Sequence, residues 1–183
     1  MKVLVLAEDY HFEPVREIAL RAGARSIRVR PMRGNRVEKL VGYIRYHPDY
    51  DRFVVLKDLE HYDEKILVER FRKVLERLPE IERNRITLVL VKRAIEAWLL
   101  ADPDAVEKAA GCEIGRRTRQ RLADPEGILN PKEELRKIFE KCGKIYNIRL
   151  AIKIAKHIRL EEARQRAPSL DAFLKAISAL PKS

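Results

Sequence analysis

Residues 2–9, Lys2-Val3-Leu4-Val5-Leu6-Ala7-Glu8-Asp9, hold an apolar run that stops abruptly at two acids. An unbroken run of this length is the signature of a strand buried on both faces, as in a parallel sheet. Residues 10–91 alternate between two hydrophobic periods. Pro14 opens a helix whose stripe is Val15, Ile18, Ala19 and Ala22, and Gly23 ends it. A short strand is predicted at Ser26–Arg30, and Gly34-Asn35 reads as a turn. A second helix shows Val37, Leu40, Val41 and Ile44 on one side. Residues 52–57 (RFVVLK) are strand-like, residues 63–78 place Ile66, Leu67, Phe71, Val74, Leu75 and Leu78 on a helical stripe, and residues 86–91 (ITLVLV) make a fourth buried strand. Strand and helix in strict alternation predict right-handed crossovers and a parallel sheet. Sheets of that kind carry ligands at the carboxyl ends of their strands.

Beyond residue 92 the pattern is helical. Residues 93–101 carry Ile95, Trp98 and Leu99, and Asp102-Pro103 reads as an N-cap followed by a helix-starting proline. Residues 111–130, with Gly115, Pro125 and Gly127, are the least regular and predict an exposed loop. Helices are expected at about 131–141, 147–158 and 169–180. The expected organisation is an α/β unit over residues 1–110 and a basic helical part, 111–183, packed on it. At 183 residues the chain has the size of one ordinary domain, with or without an extension.

Composition narrows the class. A content of 46% hydrophobic and 37% charged residues excludes a disordered tail, and no apolar run is long enough for a membrane helix. Acids arriving directly after the first strand argue against a secretory leader. A soluble cytoplasmic chain is therefore expected. Glu, Lys and Arg dominate over Gln, Cys and Met, a usage enriched in proteins of hot environments. Cys112 and Cys142 are expected to pack as ordinary small apolar side chains. No phosphate-binding loop, dinucleotide fingerprint or nucleophile elbow is present.

The net charge of +11 is uneven: residues 1–110 carry 22 basic and 19 acidic side chains, and residues 111–183 carry 17 and 9. Arg116, Arg117, Arg119 and Arg121 form a run. Arg149, Lys153 and Lys156 recur at helical spacing opposite Ile148, Ile152 and Ala155. Clustered cations of this kind suit a nucleic acid, DNA or RNA, because they release counterions from its backbone. A solvated surface on a charge-rich protein fits the same pattern, as does a face that docks an acidic protein.

The predicted strand ends deliver carboxylates: Glu8 and Asp9 after the first strand, Asp58 and Glu60 after the third. If those strands are neighbours, the acids meet on one rim. Mutually repelling carboxylates favour a cation, and hard oxygen donors select Mg2+ or Mn2+, which suits phosphodiester chemistry. Helix capping ahead of Asp63 is the competing explanation. Glu96 sits in an apolar helix and needs a partner there, either Lys92 or Arg93 or a metal. His11 and His61 follow the acidic positions, Trp98 reads as core, and Tyr146 reads as core or as a nucleic-acid contact.

Glu at the end of strand one with an acidic D-x-D pair after strand three resembles the TOPRIM domain of topoisomerases, primases and OLD-type nucleases. Residues 94–103 (AIEAWLLADP) closely resemble the IEAWLLADP block of a TOPRIM-like family, domain-of-unknown-function family 4276, and residues 144–180 also look like that family. The resemblance implies a TOPRIM-like, mostly parallel sheet flanked by helices, with a helical C-terminal extension. It also implies a metal-dependent nuclease in which Glu8 matches the TOPRIM glutamate, Asp58 and Glu60 the D-x-D pair, and Glu96 the glutamate of the family block. A separately encoded ATPase partner and a role in defence against mobile elements come with the OLD group. This sequence departs from the pattern twice: the second acid of the pair is Glu60, and Asp9 replaces the glycine that often follows the first glutamate. Both departures favour the alternative of a decayed, nucleic-acid-binding or regulatory module.

Overall fold

A computed structural model describes residues 1–7, 12–32, 37–59 and 62–178. The first half runs β1 (Val3–Ala7), α1 (Phe12–Arg21), β2 (Ile27–Pro31), a single 3-10 turn leading into α2 (Leu40–Tyr46), β3 (Arg52–Asp58), α3 (Glu64–Leu75), the short α4 (Glu80–Arg83) and β4 (Ile86–Val91). The strands form one sheet in the order β2-β1-β3-β4, every pairing parallel, with Val5 level with Val29 on one side and Val54 on the other. Strands one and three are therefore neighbours, and their carboxyl ends share a rim.

The unbroken apolar runs are explained by the two cores they serve. Val3, Val5, Ala7, Val54, Leu56, Val89 and Val91 face one core. Leu4, Leu6, Phe53 and Val55 alternate with them and face the other, filled by Leu40 and Ile44 of α2 and by Phe71 and Val74 of α3. α3 is capped by Asp63, whose carboxylate accepts from the amides of Lys65 and Ile66 at 2.8 and 3.2 Å. Asp63 thus serves the capping duty considered for Asp58 and Glu60. One phase assignment changes: Ile66, expected on the buried stripe, is 63% exposed, while Leu67, Phe71 and Val74 face the sheet. The expected Gly34-Asn35 turn lies outside the described residues.

The second half runs α5 (Ile95–Leu100), α6 (Pro103–Ala110), α7 (Arg116–Arg121), a 3-10 turn at Pro125–Gly127, α8 (Pro131–Lys141), α9 (Ile148–His157), α10 (Leu160–Arg166) and α11 (Pro168–Ser178). The stretch expected as a loop thus contains a helix and a turn, and α4 and α10 are elements the periodicity did not predict. Asp102 caps α6 as its sequence position implied, accepting from the amides of Asp104 and Ala105. α1 packs on α9, and α11 lies against β4. The first core runs without a break from β1 through α5, α6, α8, α9 and α11.

Two side-chain expectations are overturned. On α9 the buried face is Ala151, Ile154 and Ala155, whereas Ile148 is 43% exposed; a helix wedged against both α1 and α6 turns its smallest side chains to the close contacts. Cys112 and Cys142 are joined as a disulfide, with Cα atoms 5.7 Å apart. Thirty residues separate them, so only the packing of α6 beside the end of α8 reveals the pairing.

Candidate functional site

The carboxyl rim of the sheet is built by β1, β3 and β4. Asp58 is the last residue of β3 and is 6% exposed. It is level with Val91 of β4, and the next amide, Leu59 N–H, still donates to the Val91 carbonyl at 2.9 Å, so the pairing holds its backbone through the rim. Lys57 is also buried, with its ammonium over the Tyr62 ring at 5.3 Å. After β4 the chain turns sharply. Arg93 adopts φ +75°, a region uncommon for a residue with a side chain, and Ala94 is extended before α5 begins. Glu96 thereby falls in the first turn of α5, beside the rim, and is 1% exposed.

Trp98 on the same helix is core, as expected. Its ring stacks on Phe173 at 5.2 Å and its Nε1–H donates to Ser169 Oγ at 2.7 Å. Ser169 in turn donates through its amide (2.9 Å) and hydroxyl (2.5 Å) to Glu126, a carboxylate buried at 4% exposure. This network clamps α5 to α11 and to the 3-10 turn in the stretch expected as loop.

Tyr146 packs against Phe139 with ring centroids 5.6 Å apart. Burial, and then the negative charge of Glu96, push its phenol well above the ordinary tyrosine range. The phenol is therefore near the Glu96 carboxylate, a neighbour that residue spacing did not reveal. The packing of α9 orients it. Its helix lies against α5, the helix that follows β4 at the carboxyl rim, and Tyr146 stands two residues before its start. At its other end, Arg21, the last residue of α1, donates to the carbonyls of Ala155 (3.3 Å) and Lys156. α1 runs back from the rim to the amino edge of the sheet, so α9 runs in that same direction. Arg149, Lys153 and Lys156 are all exposed and share one stripe of it, opposite the buried face. At 1.5 Å per residue the stripe spans about 10 Å, leading away from the rim.

The arginine run behaves differently. Arg119 is bound to Asp104 (2.8 Å) and Glu107 (2.6 Å), and Arg121 to Glu134 (2.5 Å). Arg116 and Arg117 extend from the exposed start of α7. Arg159, which carried no signal in the sequence, grips Asp102 through Nη2 (2.7 Å), Nε (3.1 Å) and its own amide (2.7 Å). Burial alone would raise the Asp102 carboxyl, but these bonds outweigh it and hold the group below the usual aspartate range.

Of the four carboxylates expected to form the site, two lie among the described residues: Asp58 ends β3 at the carboxyl rim, and Glu96 lies in the first turn of α5, the helix after β4. Glu8 and Glu60, with His11 and His61, lie outside the described residues. Among the described residues no group of three or more His, Cys, Asp or Glu could hold a metal ion. The described rim donors are carboxylates, the hard oxygen chemistry that suits Mg2+ or Mn2+. No described helix is long and apolar enough to cross a membrane.

Comparison with known proteins adds three findings. No curated protein matches the sequence. Among solved structures, the chain is similar to the C-terminal region of the Burkholderia pseudomallei OLD protein, with a TM-score of 0.50 and 18% identity, over 96% of this chain and 98% of that one. At that identity the likeness is one of fold: a parallel sheet flanked by helices, with the C-terminal helices included. The family model described as Domain of unknown function (DUF4276) matches residues 10–178, nearly the whole chain, and the protein belongs to that family.

Proposed function

We propose that this protein is a metal-dependent nuclease, a phosphodiesterase that cleaves DNA or RNA. What supports the reading is that buried Asp58 ends β3 at the carboxyl rim, that buried Glu96 lies in the first turn of the helix following β4, and that α9 carries an exposed cationic stripe. In this reading Glu8, Asp58 and Glu60 hold Mg2+ or Mn2+, and Glu96 supports them. Such an ion, when bound, polarises a scissile phosphate and lowers the pKa of a water. The chain's own residues do the rest. Asp58 stands on a strand paired on both sides, so its carboxylate is pre-positioned. Glu96 is fixed by a helix whose side chains are all buried, and the Tyr146 phenol, raised by burial and by the Glu96 charge, keeps its proton at neutral pH. Residues 1–110 supply the rim, and residues 111–183 supply Arg149, Lys153 and Lys156, with Arg116, Arg117, Arg119 and Arg121, to hold the polyanion.

The fold shared with the C-terminal region of an OLD protein supports this reading. A role in defence beside a separately encoded ATPase belongs to the same proposal and rests on the sequence resemblance alone. Glu60 and Asp9, the two departures from the TOPRIM pattern, favour a second reading, a decayed site that binds nucleic acid without cutting it.

The test is cleavage of labelled DNA and RNA oligonucleotides with Mn2+ or Mg2+ by wild type, Asp58→Asn and Glu96→Gln, beside metal titration by calorimetry. Asp58→Asn should abolish cleavage, and Glu96→Gln should slow it by about ten- to a hundredfold. Wild-type protein that takes up neither ion and cuts neither substrate refutes the enzyme and leaves the decayed module.

A further inference from the structure

His157 closes α9 and is half-buried where α1, α6 and α9 meet. The charges that act on its ring are Lys108 from α6, Arg21 from α1, and Lys153 and Lys156 from its own helix, all of them cationic and all exposed. Arg21 is also fixed in place, because it donates to the last carbonyls of α9 at Ala155 and Lys156. Its guanidinium covers the negative end of the helix dipole, so the junction presents positive charge outward. Three separate helices thus deliver cations to one spot, at the end of the stripe that begins with Arg149 near the rim.

We propose that this junction is a distal phosphate-binding site, where Arg21, Lys108, Lys153 and Lys156 grip the backbone of a nucleic-acid strand and His157 joins them when protonated. The proposal rests on the reading that this protein handles nucleic acid, and it names where the strand is held away from the carboxylates. The distance from Arg149 to Lys156, about 10 Å along the helix, matches about three nucleotides at the 3.4 Å rise of a stacked strand. Cations spaced along a line toward a carboxylate rim fit a phosphate backbone better than a compact acidic protein.

Proton uptake is linked to this binding. Burial, and then the four surrounding cations, hold the His157 imidazole below the ordinary histidine range, so it is neutral at pH 7. A bound phosphate reverses the sign of the local field and raises that pKa. Affinity therefore rises as pH falls through the bound-state value and levels off below the free-state one.

The experiment measures binding of a labelled oligothymidylate to the full chain in EDTA, as a function of salt and pH, with the histidine ring protons followed by NMR. Lys108→Ala/Lys153→Ala/Lys156→Ala should weaken binding at least about tenfold and flatten the salt slope by about two, at 0.7 per lost phosphate contact. His157→Gln, which also assigns the His157 resonance, should remove the gain in affinity in acid. The control Lys65→Ala/Arg70→Ala/Lys73→Ala strips α3, on the other side of the sheet, and should change neither slope nor affinity. Wild-type binding that survives the first triple substitution overturns this site and leaves the enzyme reading untouched. Patch-dependent binding without metal-dependent cleavage sustains the site and removes the enzyme. Absence of wild-type binding overturns both. Poly-aspartate that moves the His157 resonance as far as the oligonucleotide, at equal charge, overturns the strand in favour of an acidic protein.

Discussion

Reducing the Cys112–Cys142 bond should cost this protein a large share of its stability without changing its fold. The bond closes a 30-residue separation between the end of α6 and the end of α8. Loop-closure entropy for that length gives about 3.6 kcal/mol at 25 °C, through the freedom restored to the unfolded chain. For 183 residues the unfolding entropy converts this into a drop of about 10 °C in Tm. The folded state should hold, because the same region is tied by the Arg119 pairs with Asp104 and Glu107 and by the Trp98–Ser169–Glu126 network. The assay is thermal unfolding of wild type with and without dithiothreitol, beside Cys112→Ser/Cys142→Ser. The reduction arm involves no substitution, so it separates cross-linking from packing. Unchanged Tm on reduction, in protein whose thiols are shown by titration to be oxidised beforehand, refutes the entropic argument. Two reactive thiols in protein never exposed to reductant refute the bond itself.

Asp102→Ala should lower stability by about 2–3 kcal/mol, since it removes the cap of α6 and leaves Arg159, which is partly solvated, without its main partner. The pH dependence has a definite sign. The folded Asp102 carboxyl lies below its unfolded value, so its contribution is complete above the ordinary aspartate range and is lost as pH falls through the depressed value; urea unfolding of wild type and Asp102→Asn across that acid range should converge, and parallel curves contradict the pairing. Ser169→Ala should cost about 1–3 kcal/mol, because it strands the buried Trp98 N–H and deprives Glu126 of a donor. A loss below half of that range by guanidinium titration would mean that water or a shifted side chain replaces the hydroxyl.

Much of the α/β half was legible because it is local. The run from Val3 to Ala7 announces a two-faced strand by lacking alternation, Gly23 stops α1 where the chain needs φ +89°, and Asp102-Pro103 starts α6 by its own hydrogen bonds. Of the candidate site, the places of two residues were legible: Asp58 at the end of its strand and Glu96 within the apolar block that became α5. Elsewhere periodicity failed for identifiable reasons. Ile66 shares the helical phase of a buried stripe, yet α3 is rotated so that Leu67 and Phe71 fill the sheet face. Residues 111–130 looked irregular because their glycines and prolines are strong breakers, but Gly115 and Pro125 stand at the starts of a helix and a turn.

By itself, then, the sequence determined the strand–helix alternation, the parallel sheet that alternation demands, the carboxyl rim with Asp58 on it, and the excess of positive charge behind residue 110. These depend on backbone neighbours within a turn or a strand, where side-chain spacing and geometry are the same thing. Only the tertiary structure decided the Cys112–Cys142 bond, the grip of Arg159 on Asp102 across 57 residues, the approach of Tyr146 to Glu96, and the division of the basic residues into those bound to carboxylates and those facing solvent. Each depends on which helix faces lie against one another. That is set by how the small residues of α9 fit between α1 and α6, and no spacing along the chain encodes it.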